Sequence, residues 1–278
     1  MKRIVTVQDI SCVGKCSLTA ALPVISAMGV ETCILPTAVL SAHTLFPHPV
    51  ITDLTDQILP TITHWKEQGI TFDAIYTGYL ADSRQIDLVI RLIREFGAPG
   101  VPVIVDPAMA DNGTLYAGFS DEFPMEMLHL CRHADIILPN ITEAALMTGI
   151  EYRKDGGEAY LKELLLALSD RLESRTSYLI LTGASLIPGQ TGILGLERQS
   201  GRIFQVQQPK IPTVFHGTGD LFASTFTGGL MRGLSVERAL SLACSFTAHA
   251  IEATVNDPHA RTYGVNFEEA LPWLIEQL

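Results

Sequence analysis

Short apolar runs alternate with longer amphipathic segments along most of this 278-residue chain. The runs contain many β-branched residues, as in Val103-Ile104-Val105, which is typical of strands buried on both faces of a parallel sheet. Strands that alternate with helices predict βαβ units and an α/β fold. We predict strands within residues 4–7, 33–35, 74–77, 101–105, 135–138 and 178–181.

Helices and a late hairpin complete the predicted pattern. Apolar residues at helical spacing predict helices within residues 17–28, 52–68, 84–96, 220–232 and 236–254. Gln199-Ser200-Gly201 predicts the turn of a hairpin between residues 192–196 and 202–207. Because no repeat or linker-like segment interrupts the chain, we expect a single domain over residues 1–278.

Composition excludes several classes of protein. Hydrophobic residues make up 47% of the chain, which excludes a disordered protein, and the net charge of −11 argues against nucleic acid as a partner. The five cysteines form no Cys-x-x-Cys pair, so we expect free thiols in a reducing compartment. The two long charge-free stretches contain prolines, glycines or many hydroxyls. We therefore expect a cytoplasmic protein that does not bind membranes.

Polar residues follow five of the six predicted strands, at the sheet edge where α/β proteins bind ligands. Strand ends are often polar for structural reasons, so the evidence lies in the repetition rather than in any one residue. The residues concerned are Asp9 and Ser11, Gly78 and Tyr79, Asp106 and Asp111, Asn140 and Glu143, and Thr182 and Gly183.

The strongest local pattern is Gly217-Thr218-Gly219-Asp220, which opens a predicted helix. Its glycines permit close approach of the backbone to a ligand, and the amides of a helix N-terminus can hold an anion. Asp220 has two interpretations: a carboxylate that stabilises the helix start, or a general base beside a phosphate. Gly14-Lys15-Cys16-Ser17 resembles the end of a P-loop but lacks the earlier glycine that the motif requires.

Several motifs occur in the order found in a known group of small-molecule kinases. They are Ser11, Ser41-Ala42-His43-Thr44, Thr77-Gly78-Tyr79-Leu80, Asp106-Pro107-Ala108-Met109, Pro139-Asn140-Ile141-Thr142-Glu143 and Gly217-Thr218-Gly219-Asp220. With these motifs the chain resembles the pyridoxal kinases of the ribokinase-like superfamily. The resemblance implies a three-layer α/β sandwich with a central, mostly parallel sheet flanked by helices, without a large separate lid domain.

The resemblance also implies an activity: ATP-dependent phosphorylation of the 5′-hydroxymethyl group of pyridoxal, pyridoxamine or pyridoxine. Mg²⁺ is the implied cofactor, a monovalent cation is a further candidate, and a homodimer is expected. By resemblance, Asp220 is the general base, and Gly217, Thr218 and Gly219 present amides to the transferring phosphoryl group. The remaining implied roles are vitamer binding by Ser11, His43, Thr44 and Tyr79, nucleotide binding by Asn140, Thr182, Gly217 and Gly219, and Mg²⁺ binding by Asp106, Asp111 and Glu143.

Two alternatives stay open at this point. The first is a hydroxymethylpyrimidine kinase of thiamine salvage, which performs the same chemistry on a different ring. The second is a non-catalytic protein that binds vitamers or nucleotides on the same fold. Ala42 and Phe46 stand where the family often has Asn and Tyr. The preferred vitamer is therefore also open.

Overall fold

The computed structural model describes residues 1–213 and 215–278. The chain forms two compact units. Met1–Tyr76 and Ile211–Leu278 make up the first, here called the terminal unit, and Thr77–Lys210 make up the second, the central unit. The prediction of one continuous domain stays a prediction.

The terminal unit begins with a βαβ arrangement. Its elements are β1 (Arg3–Ser11), α1 (Leu18–Ala27), β2 (Glu31–Leu40), β3 (Ile51–Asp53), α2 (Thr55–Glu67) and β4 (Ala74–Thr77), whose last residue already belongs to the central unit. Strands β1 and β2 pair in parallel from Arg3 and Glu31 onward, whereas β2 and β3 are antiparallel. The sheet order over these strands is β4-β1-β2-β3.

The central unit carries the middle elements of the chain. They are α3 (Ser83–Phe96), β5 (Val103–Val105), β6 (Ala110–Asp111), β7 (Thr114–Leu115), α4 (Phe123–Cys131), β8 (Ile136–Ile137), α5 (Ile141–Thr148), α6 (Gly157–Ser169), β9 (Tyr178–Thr182), β10 (Gln190–Glu197) and β11 (Arg202–Pro209). Strands β5, β8 and β9 are parallel neighbours, and β10 and β11 continue the sheet in antiparallel pairing. Strands β6 and β7 form a separate small hairpin.

Three C-terminal helices complete the terminal unit: α7 (Thr218–Met231), α8 (Val236–Asn256) and α9 (Phe267–Glu276). They share a buried core with α1, to which Val24, Met28, Leu221 and Phe246 contribute. Gly228 explains how closely α7 approaches α1, because a Cβ at this position would lie 2.3 Å from the Met28 sulfur. This packing fixes the start of α7, where the glycine motif lies.

The observed elements confirm an α/β fold with a mostly parallel sheet flanked by helices. The strand at 74–77 and the late hairpin are confirmed, but the predicted helix at 52–68 begins too early. Residues 51–53 instead pair with β2, and the Asp53 carboxylate accepts a hydrogen bond from the Thr55 amide (2.8 Å) at the true helix start. Within the described ranges, no helix is long and apolar enough to cross a membrane. All five cysteines are free thiols.

Candidate active site

The start of α7 is built by glycines with two different requirements. Gly217, the N-cap residue, has a left-handed backbone with φ of 77°, and a Cβ there would lie 2.0 Å from the Lys15 carbonyl oxygen. A Cβ at Gly219 would meet no atom within 4 Å. Since Gly217 has no side chain to cap the helix, the positive end of α7 is left for a ligand. Space above Gly219 is available for an anion.

Asp220, the third residue of α7, combines partial solvent access with a raised pKa. The surrounding protein desolvates its carboxylate and raises the pKa to about 6, and the charge of Asp9 contributes to this rise. Hydrogen bonds from the backbone amides of Ser17 and of Asp220 itself oppose it. A carboxylate with this pKa is ionised at neutral pH and can still accept a proton, as a general base must.

A second buried carboxylate, Asp9 on β1, lies close enough to interact with Asp220. Asp9 is 5% exposed, and burial raises its pKa, whereas hydrogen bonds from the Ser17 and Ser11 hydroxyls lower it. The Ser11 hydroxyl lies 3.4 Å from the Asp9 carboxylate. The sequence analysis placed Asp9 at the correct sheet edge but gave it no role. Ser17 was missed altogether.

The structure brings two predicted vitamer-binding residues, Ser11 and His43, close to Gly14. A Cβ on Gly14 would lie 3.1 Å from Ser11 Cβ and 3.2 Å from His43 Cβ, so this glycine allows the two loops to approach. The His43 amide donates to the Val13 carbonyl at 2.8 Å. Thr44 follows on the same loop and is exposed.

His43 is paired with a histidine that the sequence analysis did not select. The ring centroids of His43 and His216 are 5.0 Å apart, and the planes are tilted by 55°. Burial and the charge of His216 both lower the pKa of His43. Because His43 Nδ1 accepts a hydrogen bond from the Leu45 amide (3.1 Å), the neutral ring carries its proton on Nε2 and can donate it to a ligand. The position of His216, directly before Gly217, is the signal that could have identified it.

In the central unit, Asn140 and Glu143 form a reciprocal capping box at the start of α5. The Asn140 side chain accepts from the Glu143 amide (3.0 Å), and the Glu143 carboxylate accepts from the amides of Asn140 (2.8 Å) and Met109 (3.1 Å). Thr182 lies beside Asn140 in an isolated parallel bridge. Asn140 and Thr182, the two predicted nucleotide-binding residues of the central unit, are thus neighbours.

The three predicted Mg²⁺ ligands also lie in the central unit. Asp106 is buried after β5, and its charge, together with burial, raises the pKa of Glu143 well above its usual range. Asp111 is exposed in the β6–β7 hairpin, and its carboxylate accepts from the Asn112 amide at 2.8 Å. In residues 1–213 and 215–278, no group of three His, Cys, Asp or Glu residues is arranged to hold a metal ion. The metal role of this trio stays a prediction.

Tyr79, the fourth residue predicted to bind the vitamer, belongs to an aromatic cluster of the central unit. Its ring centroid lies 5.6 Å from that of Phe119, which stacks on Phe123 at 4.0 Å. The ring is half-buried. Its contact with a ligand ring stays a prediction.

A protein-family model for phosphomethylpyrimidine kinase matches residues 13–263. The chain belongs to this kinase family. The match includes nearly all of the predicted site, from Val13 through the glycine motif at the start of α7.

Relatives of this kinase act on two kinds of substrate, as their names state. A pyridoxine/pyridoxal/pyridoxamine kinase of Bordetella avium is 29% identical over 269 residues, covering 90% of this chain and 85% of that protein. A hydroxymethylpyrimidine/phosphomethylpyrimidine kinase of Bacillus subtilis is 30% identical over 222 residues, covering 79% and 78%. A protein of Bacteroides thetaiotaomicron described as a phosphomethylpyrimidine kinase, in an orthorhombic crystal form with pyridoxal, is 40% identical. Its TM-score is 0.91, over 98% of this chain and 95% of that one.

These matches confirm the predicted resemblance to pyridoxal kinases with a ribokinase-like fold. They support a kinase that phosphorylates a B6 vitamer or a thiamine precursor.

Proposed function

We propose that this kinase transfers the γ-phosphoryl group of ATP to the 5′-hydroxymethyl group of pyridoxal, pyridoxamine or pyridoxine. The observation that carries the proposal is the start of α7, where Asp220 has a pKa of about 6 next to the open space at Gly219. An ionised carboxylate beside an anion-binding helix end suits proton removal from an alcohol during phosphoryl transfer.

Asp220 accepts the proton of the hydroxymethyl group as its oxygen forms a bond to phosphorus and the bond to the ADP oxygen breaks. The positive end of α7 stabilises the charge on the transferring group, and the amides of Thr218 and Gly219 face it. Phosphoryl transfer requires mainly positioning and charge stabilisation. The glycines leave the room that such close approach requires.

The central unit supplies the proposed nucleotide and metal contacts. Asn140 and Thr182 lie together and offer amide and hydroxyl groups to nucleotide phosphates. Asp106 and Glu143 fit Mg²⁺ in their chemistry, because both carry carboxylate oxygens and a cation would favour the ionised form of Glu143, whose pKa is raised by burial and by the charge of Asp106. Asp111 provides a further exposed carboxylate. Bound Mg²⁺ supplies charge neutralisation on the phosphates.

His43 and His216 support a B6 vitamer over a pyrimidine. B6 vitamers carry a phenolic oxygen, and a donor such as His43 Nε2–H, with His216 beside it, suits that acceptor. Ser11 offers a second polar group near His43. Stacking of the vitamer ring on Tyr79 stays a prediction of the resemblance. The Bacteroides relative with pyridoxal agrees with this choice.

Hydroxymethylpyrimidine is the second candidate substrate. The family model and the 30% identical Bacillus subtilis relative favour it. The same proton transfer to Asp220 applies, since only the ring differs.

A coupled ATP-consumption assay tests the proposal with pyridoxal, pyridoxamine, pyridoxine and hydroxymethylpyrimidine, each with and without Mg²⁺. We expect Mg²⁺-dependent turnover on the B6 vitamers, with their ranking giving the vitamer preference. Turnover on the pyrimidine alone would assign the kinase to the second candidate. Folded protein that binds ATP but phosphorylates none of the four alcohols would overturn both candidates and favour a binding role.

A further inference from the structure

Lys15 lies in the segment that resembles a P-loop, but its side chain is engaged elsewhere. Its ammonium group donates to the Asn266 side chain at 3.1 Å and to the Glu268 carboxylate at 2.8 Å. The Lys15 side chain is only 17% exposed. Asn266 is itself buried and held by the Thr254 hydroxyl (2.7 Å) and by the Asp257 carboxylate (2.9 Å). Lys15 therefore ties its loop to the start of α9 rather than presenting a charge to a phosphate.

The backbone around Lys15, residues 14–17, is here called the brace loop. It is packed between two glycines of the terminal unit. A Cβ on Gly217 would lie 2.0 Å from the Lys15 carbonyl oxygen, and a Cβ on Gly264 would lie 2.5 Å from Lys15 Cβ. The brace loop thus supports the start of α7 on one side and is itself held by the segment before α9 on the other.

Ser17, the last residue of the brace loop, has a backbone conformation that residues with side chains rarely adopt. Its φ is 47° and its ψ is −132°. Such a conformation persists only where surrounding contacts hold it, and it is found preferentially at functional sites. Here Ser17 lies near both carboxylates: its amide lowers the pKa of Asp220, and its hydroxyl lowers the pKa of Asp9.

We propose that Lys15 is a positioning residue for phosphoryl transfer. By anchoring the brace loop to Asn266 and Glu268, it keeps the Lys15 carbonyl packed against Gly217 and so holds the start of α7, with Asp220, next to Ser17. The proposal rests on the proposed function, in which Asp220 is the base. Lys15 acts through Ser17 and touches neither substrate nor nucleotide.

Loss of the Lys15 contacts should change the pKa of Asp220 in a direction that can be measured. The Ser17 amide favours the ionised form of Asp220, so its departure raises the pKa of that carboxyl. Asp9 on β1 and Cys16 in the brace loop are the titratable groups that interact with Asp220. Asp9 also loses the Ser17 hydroxyl and becomes less charged, which acts in the opposite direction. The Ser17 amide has the larger influence on Asp220, so the net change is upward.

The test compares Lys15→Met with Lys2→Met. Lys2 is a matched control in the same unit, because it forms an ion pair of similar length with Asp73 (2.7 Å) at an exposed position. For Lys15→Met we expect kcat to fall by about 10- to 100-fold, as for a displaced catalytic group. The KM for ATP should stay within about twofold, and the acidic limb of kcat/KM should move up by about half a pH unit. Lys2→Met should match the wild type.

Two further variants isolate the mechanism. Lys15→Arg preserves the charge and should keep the acidic limb in place. Glycine adopts the conformation of Ser17 without strain. Adding Ser17→Gly to Lys15→Met should therefore restore part of the lost kcat, which a purely structural lysine would not produce. If Lys15→Met does not fold, Glu268→Gln removes one partner of the ammonium and should shift the limb in the same direction by less.

An acidic limb that coincides in Lys15→Met, Lys2→Met and the wild type would overturn the proposal. Titration of the Asp220 carboxyl by ¹³C NMR provides a readout that does not depend on turnover. If the wild type is inactive but the pKa of Asp220 still rises in Lys15→Met, the proposed function is rejected and the positioning role of Lys15 is supported. If the wild type is active and the pKa does not rise, the proposed function is supported and the positioning role of Lys15 is rejected.

Discussion

Helices α5 and α7 of this kinase each carry an acid at their third residue, and these two acids differ in almost everything else. At the start of α5, Asn140 and Glu143 cap the helix reciprocally, and Glu143 is 2% exposed with both oxygens accepting backbone amides. At the start of α7, the cap residue is Gly217, which contributes no side-chain hydrogen bond, and Asp220 is partly accessible. An acid in the first turn is therefore not informative by itself. The cap residue decides whether the helix end is satisfied by the protein or left for a ligand.

The largest difference should be seen with Asp220→Asn, which we expect to reduce kcat by about 10²- to 10⁴-fold, the usual contribution of a general base. Stability should not fall. Burial raises the pKa of Asp220 to about 6, so ionisation costs folding free energy as pH rises from 3.8 towards 6. A neutral Asn avoids that cost and should stabilise the fold by about 1–3 kcal/mol at neutral pH.

The measurements for this variant are steady-state turnover and thermal unfolding at pH 7.5. Asp82→Asn is the control, because Asp82 is a helix cap that accepts from the Gln85 amide at 3.0 Å. Its turnover should equal that of the wild type. Undiminished turnover in Asp220→Asn would show that Asp220 only stabilises the start of α7 and is not a general base.

Gly219→Ala and Gly217→Ala sharpen the comparison within α7 itself. The methyl group that Gly219→Ala adds would enter open space, so stability should change by less than about 1 kcal/mol. Turnover should fall by about 10- to 100-fold, because the phosphoryl group needs that space. Gly217→Ala should instead lower the free energy of unfolding by about 1–2 kcal/mol or more, because its backbone is left-handed and the Lys15 carbonyl is in the way. Denaturant unfolding and initial rates separate the two effects, and full activity in Gly219→Ala would reject an anion at that position.

The pH dependence of kcat/KM tests the raised pKa of Asp220. Activity requires the ionised carboxylate, so kcat/KM should be constant above pH 7 and fall about tenfold per unit well below pH 6. Initial rates between pH 4.5 and 8 at constant ionic strength give the midpoint. The pKa of His43 is also lowered, so its titration could contribute to the acidic limb. If Asp220 is responsible for the limb, the His43→Asn variant should show the same midpoint as the wild type. A midpoint near 4 in the wild type would show that the carboxylate is not desolvated.

The smallest effect is the change in stability at the capped helix, which is measured separately from the loss of turnover expected when a proposed Mg²⁺ ligand is removed. Glu143→Ala removes half of the capping box and leaves the Asn140 and Met109 amides without an acceptor, which should cost about 1–2 kcal/mol and lower Tm by a few degrees. Glu269→Ala is the control, because Glu269 is an exposed first-turn acid of α9 and should change stability by less than about 0.5 kcal/mol. Equal thermal unfolding of the two variants would show that the box contributes little.

Periodicity and spacing predicted the elements with strong local signals. Residues 74–77 form β4 as predicted, and Gln199-Ser200-Gly201 closes the hairpin of β10 and β11. Residues 52 and 53 were assigned to a helix because only the pairing of residues 51–53 with β2 makes them a strand. The β6–β7 hairpin was missed although Asn112-Gly113 is a strong turn signal, and both residues have positive φ (50° and 81°).

Site residues that belong to a sequence motif could be predicted. Residues whose role depends on backbone conformation or on distant contacts could not. Asp220 and Gly217 belong to a recognisable pattern, and the resemblance gave them roles. Nothing in the sequence indicates that Ser17 has a left-handed φ or that its amide reaches Asp220. Lys15 was given no role because its segment lacks the earlier glycine of a P-loop. Its contacts, Asn266 and Glu268, are remote in sequence and leave no local signal.

That remoteness has a consequence for synthesis on the ribosome. The Lys15–Glu268 contact joins residues 253 positions apart, whereas the central unit is one continuous segment of chain. Contacts of high sequence separation form late, and domains fold as the nascent chain emerges. Thr77–Lys210 can therefore fold while translation continues, but the brace under Asp220 closes only after the start of α9 has left the exit tunnel. The braced form of Asp220 is thus available only after residue 268 has been synthesised.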